Sequence, residues 1–363
     1  MRILNVLTHF STSSGVARLV SSMIPSIVNQ GHTVDVAVLL DRMYSYRTKI
    51  EEIGSEYIVL GKEDASIYDL KYIWKLVPLM KNYDVVHVHQ FPATYYVVIA
   101  KIISRSKCRL VLTEHSTLNN RQGKWYLKNI EKFIYHQYHR IVAISVAVKA
   151  SLCQFVDKNL IVDVVFNGIS IDDFKNALPI SREKLDLPKN TKLLIQVARF
   201  NPPKDQLTLI KALCRLPEIY HAIFVGDGDT LYMHQQKVIE LGLENRVHFL
   251  GLRQDVPTLV KTSDILVLST NFEGFGLVAV EGMAAGKPVI ASNVPGLKEV
   301  VNGAGILFPA KDDDCLAREI EHLFKDEDYR NIIAKRCLQR AMKYDVKFMI
   351  EKYLLIYNEC LNS

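Results

Sequence analysis

No apolar stretch in the 363-residue sequence approaches the ~20 residues that a membrane-spanning helix needs. The longest, Tyr95 to Ala100, is closed at once by Lys101. The first nine residues are too short and, after Leu7, too polar for the core of a secretory signal; they read as a strand. Cysteine is sparse, at positions 108, 153, 214, 315, 337 and 360, with no CxxC pair. That spacing excludes a paired-thiol redox or zinc motif and points to reduced thiols in a cytoplasmic protein. No short-period repeat and no low-complexity tract appear, so the chain is neither a solenoid nor a disordered linker. The turn after the first strand, Phe10 to Gly15, lacks GxGxxG, which disfavours a nicotinamide dehydrogenase. No His-x-x-x-His pair supports a zinc site, although His9, His89 and His115 each follow a strand.

What remains is an ordinary globular composition, 49% hydrophobic and 23% charged. The length favours two domains. The net charge of +6 is unevenly placed: residues 1–170 carry 20 Lys and Arg against 13 Asp and Glu, and the remainder 25 against 26. Between Lys101 and Lys149 ten basic residues meet only Glu114 and Glu131.

Short apolar runs rich in Val and Ile alternate with helical patterns. Strands are expected at 2–7, 33–39, 56–60, 84–88, 109–113, 140–144 and 161–165, then at 192–198, 220–225, 246–250, 264–268, 288–291 and 304–307. Helices are expected at 16–29, 67–81, 93–104, 123–137 and 146–155, then at 204–214, 231–240, 277–285, 312–325 and 328–342. The alternation predicts parallel sheets covered on both faces. The break lies near 168–190, a stretch with Asn167-Gly168, Pro179, Pro188 and no strong periodicity. The expected fold is therefore α/β, with two doubly wound, Rossmann-like domains at 1–170 and 171–345 and a final helix, 346–361, returning to the first. Ligands of such sheets bind beyond the strand ends, so two facing domains would share a central cleft.

The segment from Ser269 to Ile290 carries the strongest chemical signal. A buried strand leads to Glu273, then Gly274-Phe275-Gly276, then a helix beginning near Leu277 and Val278 with Glu281 one turn in. Glycines permit close backbone approach, and a helix N-terminus offers free amides to an anion. Carboxylates on either side of a phosphate site suit a ligand with hydroxyls at both ends: a sugar, a diphosphate and a ribose. Arg199 closes the first strand of the second half and Lys204 opens the next helix. Two fixed cations there would stabilise the charge that develops on a departing phosphate. Asp227-Gly228-Asp229 is read as a turn and Asp312 to Asp314 as an acidic helix start, neither as a metal site.

These motifs, eight positions between two glutamates included, resemble the family 4 glycosyltransferases of the GT-B type, the glycogen-synthase-like and bacterial polysaccharide enzymes. The resemblance extends over nearly the whole chain: Ser14-Gly15-Val-Ala-Arg18, Asp84 to His89, Thr113-Glu114-His115, Asn167-Gly168-Ile169, Val197-Ala198-Arg199, Lys204-Asp205, Val225 to Gly228 and Val247 to Gly251. It departs at Ser14, Ala17 and Ala198, where the family prefers Gly, Glu and Gly. It implies a retaining transfer of a sugar from a nucleoside diphosphate, UDP by default, to an acceptor hydroxyl, with no metal or other cofactor. It implies that the second domain holds the nucleotide and the first the acceptor. It assigns Arg199, Lys204, Glu273 and His115 to catalysis. To donor binding it assigns Gly15, Arg253, Gly274, Phe275, Gly276, Leu277, Val278 and Glu281, with Glu281 on the ribose and Glu273 on the donor sugar. A sugar-nucleotide epimerase or hydrolase, and a non-catalytic sugar-nucleotide-binding protein, are the rival readings on this scaffold.

Residues 121–140 read as one helix. Arg121, Lys124, Lys128 and Lys132 recur as a basic stripe, with Tyr126, Leu127, Ile130, Phe133 and Ile134 on the opposite, apolar side. Such a surface, extended by Lys101 and Arg105, suits an anionic membrane or a lipid-diphosphate acceptor, and places the protein in the cytoplasm, peripheral to the inner face of the membrane. A plain surface helix with its apolar side in the core is the competing reading. Nucleic acid is not an expected partner, because no aromatic-basic interleaving or recognised module is present.

Overall fold

A computed structural model describes residues 1–11, 14–41, 45–117, 121 and 125–362. Among these, the apolar runs form two sheets in which every paired strand is parallel. The chain divides into two units, one of Met1–Gly168 with Val346–Ser363, the other of Ile169–Asp345.

In the first unit β1 (Arg2–Leu7), α1 (Gly15–Asn29), β2 (Thr33–Leu40), α2 (Arg47–Glu52), β3 (Tyr57–Gly61), α3 (Lys71–Leu79), β4 (Val85–Val88), α4 (Ala93–Ser104), β5 (Arg109–Glu114), α5 (Lys128–Tyr135), β6 (Arg140–Ala143), α6 (Val146–Phe155) and β7 (Asp163–Val164) follow one another. The strands lie in the order β3-β2-β1-β4-β5-β6-β7. The winding reverses between β1 and β4, where Ile3 stands opposite both Val34 and Val85.

The second unit runs α7 (Ile171–Lys175), β8 (Lys192–Val197), α8 (Gln206–Cys214), β9 (Tyr220–Val225), α9 (Leu231–Glu240), β10 (Val247–Phe249), α10 (Val256–Thr262), β11 (Ile265–Leu268), α11 (Leu277–Ala284), β12 (Val289–Ser292), α12 (Leu297–Val301), β13 (Ile306–Phe308), α13 (Asp313–Lys325) and α14 (Glu327–Ala341). Its strand order, β10-β9-β8-β11-β12-β13, reverses between β8 and β11. Strands β4, β11 and β12 are buried along their whole length, as covering by helices on both faces requires.

The last helix, α15 (Val346–Asn362), belongs to the first unit. Its Met349, Ile350, Tyr353 and Tyr357 join Ile3, Val20, Ile24 and Val36 in one core. Its two tyrosine hydroxyls stay satisfied: Tyr357 lies 2.7 Å from His87 Nδ1, and Tyr353 3.1 Å from Thr113 Oγ1.

Boundaries differ from expectation where side chains compete for the backbone. The helix expected at 67–81 starts at Lys71, because the Asp69 carboxylate accepts from the Lys71 amide at 2.9 Å and holds a turn. The stretch 168–190 is not featureless: α7 buries Ile171 and Phe174, and a 3-10 turn spans Arg182–Leu185. The short helices α2, α10 and α12 escaped the sequence pattern, being too brief to show a helical period. Of the strand expected at 161–165, only Asp163–Val164 pairs, against β6.

Candidate active site

Open parallel sheets bind ligands beyond the strand ends at the point where the winding reverses. In the second unit that point is the pair of loops after β8 and β11, and backbone and side-chain bonds sew them together. The Asp205 amide donates to Ser269 O at 3.3 Å, and the Asn271 amide to Pro203 O at 2.9 Å. Ser269 Oγ donates to Asp205 O at 2.5 Å, while Gln196 Nε2 donates to Ser269 O at 3.1 Å. These bonds bring Lys204 beside Glu273, Nζ to Oε2 at 2.5 Å. The other Glu273 oxygen accepts from the Gly274 amide at 3.2 Å.

Gly276 then takes φ +94°, a left-handed conformation that L side chains rarely adopt, and α11 starts at Leu277 with no side chain capping it. The helix start therefore offers its first amides to an anion. Phe275 does not face a ligand: its ring is buried and meets Tyr344 edge-on at 5.2 Å, so only its backbone serves the loop. Glu281 is 1% exposed, below the surface of the same helix start. A residue that the sequence reading missed shapes this corner from behind. Gly296 packs so tightly on the carbonyls of Glu273 and Gly274 that any Cβ would collide with both. Its only sequence signal is Pro295-Gly296.

Arg199 is exposed and makes no ion pair with the described residues, whereas its carbonyl accepts from Gln206 Nε2 at 3.0 Å. Arg253 is exposed too, but its guanidinium is forked onto Asp255 at 2.8 and 2.7 Å, which holds the Asp255 carboxyl below its ordinary range. The Asp227-Gly228-Asp229 turn has a packing role. The glycines on either side of Asp227, Gly226 and Gly228, press on the carbonyls of Ala198 and Phe200, and the Asp227 carboxylate accepts from the Gly228 amide at 2.7 Å. Among the described residues no three His, Cys, Asp or Glu side chains converge as ligands of a metal ion would.

Gly15 and His115 belong to the other unit. Gly15 opens α1, capped by Ser14 Oγ, which accepts from the Ala17 amide at 3.4 Å. His115 follows β5 and ends a buried chain: Asn5 Oδ1 to His89 Nε2 at 3.1 Å, then His89 Nδ1 to His115 Nε2 at 3.2 Å. His87 lies against His89, ring centroids 3.9 Å apart, with its Nε2 2.7 Å from Thr113 Oγ1. Burial, reinforced for His87 and His89 by the neighbouring imidazoles, disfavours protonation of all three. His87 and His115 are pushed down to about 3, and His89 well below its ordinary value.

The basic segment is built differently from the expected stripe. Arg121 is not on the surface of α5; it lies in a turn, 8% exposed, with Nε 3.1 Å from Glu131 Oε1. The reason is Glu131, which α5 turns inward together with Ile134 and Tyr135, and a wholly buried carboxylate demands a partner. Lys124 lies outside the described residues. The apolar side is not all in the core either: Tyr126, Ile130 and Phe133 are 57%, 48% and 55% exposed, with Lys128 and Lys132 exposed among them. No helix among the described residues is long and apolar enough to cross a membrane.

Comparison with known proteins bears on both units. Residues 13–173 match the model described as Glycosyltransferase Family 4, and residues 179–340 that described as Glycosyl transferases group 1. The chain is 28% identical over 308 residues to the N-acetyl-alpha-D-glucosaminyl L-malate synthase of Bacillus anthracis, covering 82% of this chain and 80% of that protein. It is 26% identical over 314 residues to the UDP-Gal:alpha-D-GlcNAc-diphosphoundecaprenol alpha-1,3-galactosyltransferase of Escherichia coli, covering 80% of each. Among solved structures, Anabaena HepE in complex with UDP-glucose superposes with a TM-score of 0.85 at 25% identity, over 99% of this chain and 100% of that one.

Proposed function

Since the chain belongs to the family 4 glycosyltransferases of the GT-B type, we propose that it transfers a sugar from UDP to a hydroxyl of a glycan or lipid-linked acceptor, with retention of anomeric configuration, in the synthesis of a cell-surface polysaccharide or glycolipid. The observation that carries this reading is the corner where Lys204 and Glu273 meet beside the uncapped start of α11. There the amides of Leu277 and Val278 receive the diphosphate, with Lys204 and the exposed Arg199 supplying positive charge. The Glu273 carboxylate takes hydroxyls of the donor sugar and Glu281 those of the ribose. The backbone after β10, near Arg253, meets the base. In this reading the charge at the leaving group comes from side chains and amides, with no metal required.

The reaction proceeds on one face of the sugar. The bond from the anomeric carbon to the β-phosphate oxygen breaks, and a bond from that carbon to the acceptor oxygen forms on the same side. The acceptor's proton passes to the departing phosphate oxygen. Gly15 and His115 of the first unit are carried into this reading by the family resemblance, His115 as a neutral imidazole.

The diphosphoundecaprenol in the name of the Escherichia coli relative supports a lipid-linked acceptor. The exposed stripe of Tyr126, Ile130 and Phe133 among Lys128 and Lys132 supports peripheral docking on an anionic inner leaflet from the cytoplasm. A thermal-shift series with UDP, GDP and ADP tests the donor reading. UDP raises the melting temperature most, since a ligand of the folded state stabilises it by mass action; no shift with any of the three contradicts it.

A further inference from the structure

The loop from Glu273 to Gly276 is held from the front by bonds that a donor would replace. Lys204 and the Gly274 amide both engage the Glu273 carboxylate, the group that takes sugar hydroxyls in the reading above. With two glycines in four residues, such a segment is free to take many conformations once those bonds are exchanged. Its shape in a loaded site must then come from contacts behind it, and the second unit supplies two.

The first is the start of α12. Gly296 lies on the Glu273 and Gly274 carbonyls, and the Leu297 side chain fills the space where Gly276 would carry a Cβ. The second is Tyr344, in the 3-10 turn Met342–Tyr344 that follows α14; its ring meets that of Phe275 edge-on, with centroids 5.2 Å apart. One side chain serves both contacts. Arg340, half-buried in the last turn of α14, donates from Nη1 to Val300 O at 2.9 Å and to Glu299 O at 3.4 Å, and from Nη2 to Asn302 O at 3.0 Å. A helix end leaves such carbonyls unsatisfied, so Arg340 caps α12 at the end opposite the loop. The cap matters because α12, at five residues, is too short to hold itself in water. The same guanidinium stands beside the Tyr344 hydroxyl. A lone arginine in a helical pattern reads as surface charge, so the sequence does not disclose this part.

We propose that Arg340 is a positioning residue for the transfer. Through α12 and through Tyr344 it fixes the Glu273–Gly276 loop, and with it the amides at the start of α11, while Lys204 and Glu273 change partners around the diphosphate. It acts from the far end of α12 and touches no substrate. The inference rests on the donor reading above, in which those amides receive the diphosphate.

Arg340→Met and Arg340→Lys in the full chain test it. In Arg340→Met the Kd for UDP rises about tenfold, as for one lost hydrogen bond to a charged group. Uridine, which carries no phosphate, binds as it does to the parent, a split that a general loss of stability would not produce. Arg340→Lys, whose ammonium still donates to carbonyls, recovers part of the loss. Hydrogen exchange without nucleotide reads the loop itself: amides from Gly274 to Leu277 exchange faster in Arg340→Met, and those of β8 and β9 do not. Tyr344→Leu removes one of the two contacts and gives the same pattern to a smaller degree, so the test does not depend on Arg340→Met folding. Unchanged exchange in the loop, UDP and uridine weakened alike, or an unchanged Kd for UDP overturns the proposal. The parent separates the two readings. If it binds UDP and the variants bind it equally well, the brace alone is removed; if it binds no UDP, the donor reading falls and takes the proposal with it.

Discussion

The Lys204 ammonium lies 2.5 Å from the Glu273 carboxylate although 69 residues separate them. The pair ties the loop after β8 to the loop after β11, and the reversal of strand order between those strands makes the meeting possible. A cation and a carboxylate so placed can part around a sugar diphosphate, each taking the end that suits it. Lys204→Ala therefore lowers kcat by about 10²–10³-fold, the usual cost of losing one fixed group at a developing oxyanion. The KM for the donor changes much less. Steady-state kinetics of the variant check this, and a kcat within twofold of the parent removes Lys204 from the leaving-group role.

Glu281 sits 1% exposed behind the start of α11. If it holds the ribose, Glu281→Gln weakens UDP binding by about 1.5–3 kcal/mol, the range for a hydrogen bond to a charged group, while leaving the donor sugar's contacts in place. Calorimetric titration with UDP reads the loss directly. An unchanged dissociation constant assigns Glu281 to the fold instead.

The buried histidines make stability fall in acid. In the unfolded chain they take a proton near 6.5, but in the folded protein His87 and His115 do so only near 3. Above 6.5 neither state binds the proton and stability is flat. As the pH falls from 6.5 toward 3, the unfolded state binds protons that the folded state refuses. Each such histidine then removes about 1.4 kcal/mol of stability per pH unit. The melting temperature declines below pH 6.5, and the ring-proton shifts of these histidines stay constant from pH 8 to 5. A histidine of this group titrating near 6.5 contradicts the buried array.

Much of this architecture is legible in sequence, because parallel strands covered on both faces are plain apolar runs and each is followed by a helix. The corner at Glu273 to Glu281 is legible too, since glycine turns and a helix start are local features. What escaped is long-range. The spacing of Arg121, Lys124, Lys128 and Lys132 fits a helix, but the regular helix begins only at Lys128, and Arg121 is drawn inward by Glu131. A buried ion pair has no signature in periodicity, because either partner alone reads as surface charge. The exposure of Ile130 and Phe133 was hidden for the converse reason: an apolar stripe on a helix is assigned to the core unless contacts say otherwise.

That exposed stripe gives a further test. The double variant Ile130→Ser and Phe133→Ser loses most of its flotation with phosphatidylglycerol vesicles, and flotation of the parent weakens as salt rises because the lysine contribution is screened. Unchanged flotation, or equal binding to neutral phosphatidylcholine vesicles, contradicts membrane docking through α5.

Tyr357 couples the last helix to the first sheet through His87, 2.7 Å away. Tyr357→Phe keeps the packing but leaves a wholly buried ring nitrogen without its partner, costing about 1–3 kcal/mol. Urea denaturation monitored by circular dichroism measures the loss, and an unaltered midpoint shows that the hydroxyl contributes nothing.

The most direct measurement of the central claim is a crystal structure of the protein grown with UDP. The account predicts the diphosphate at the start of α11, within hydrogen-bond distance of the Leu277 and Val278 amides, with Lys204 Nζ and the Arg199 guanidinium turned onto its oxygens. UDP bound elsewhere, or a diphosphate touching neither those amides nor either cation, contradicts it.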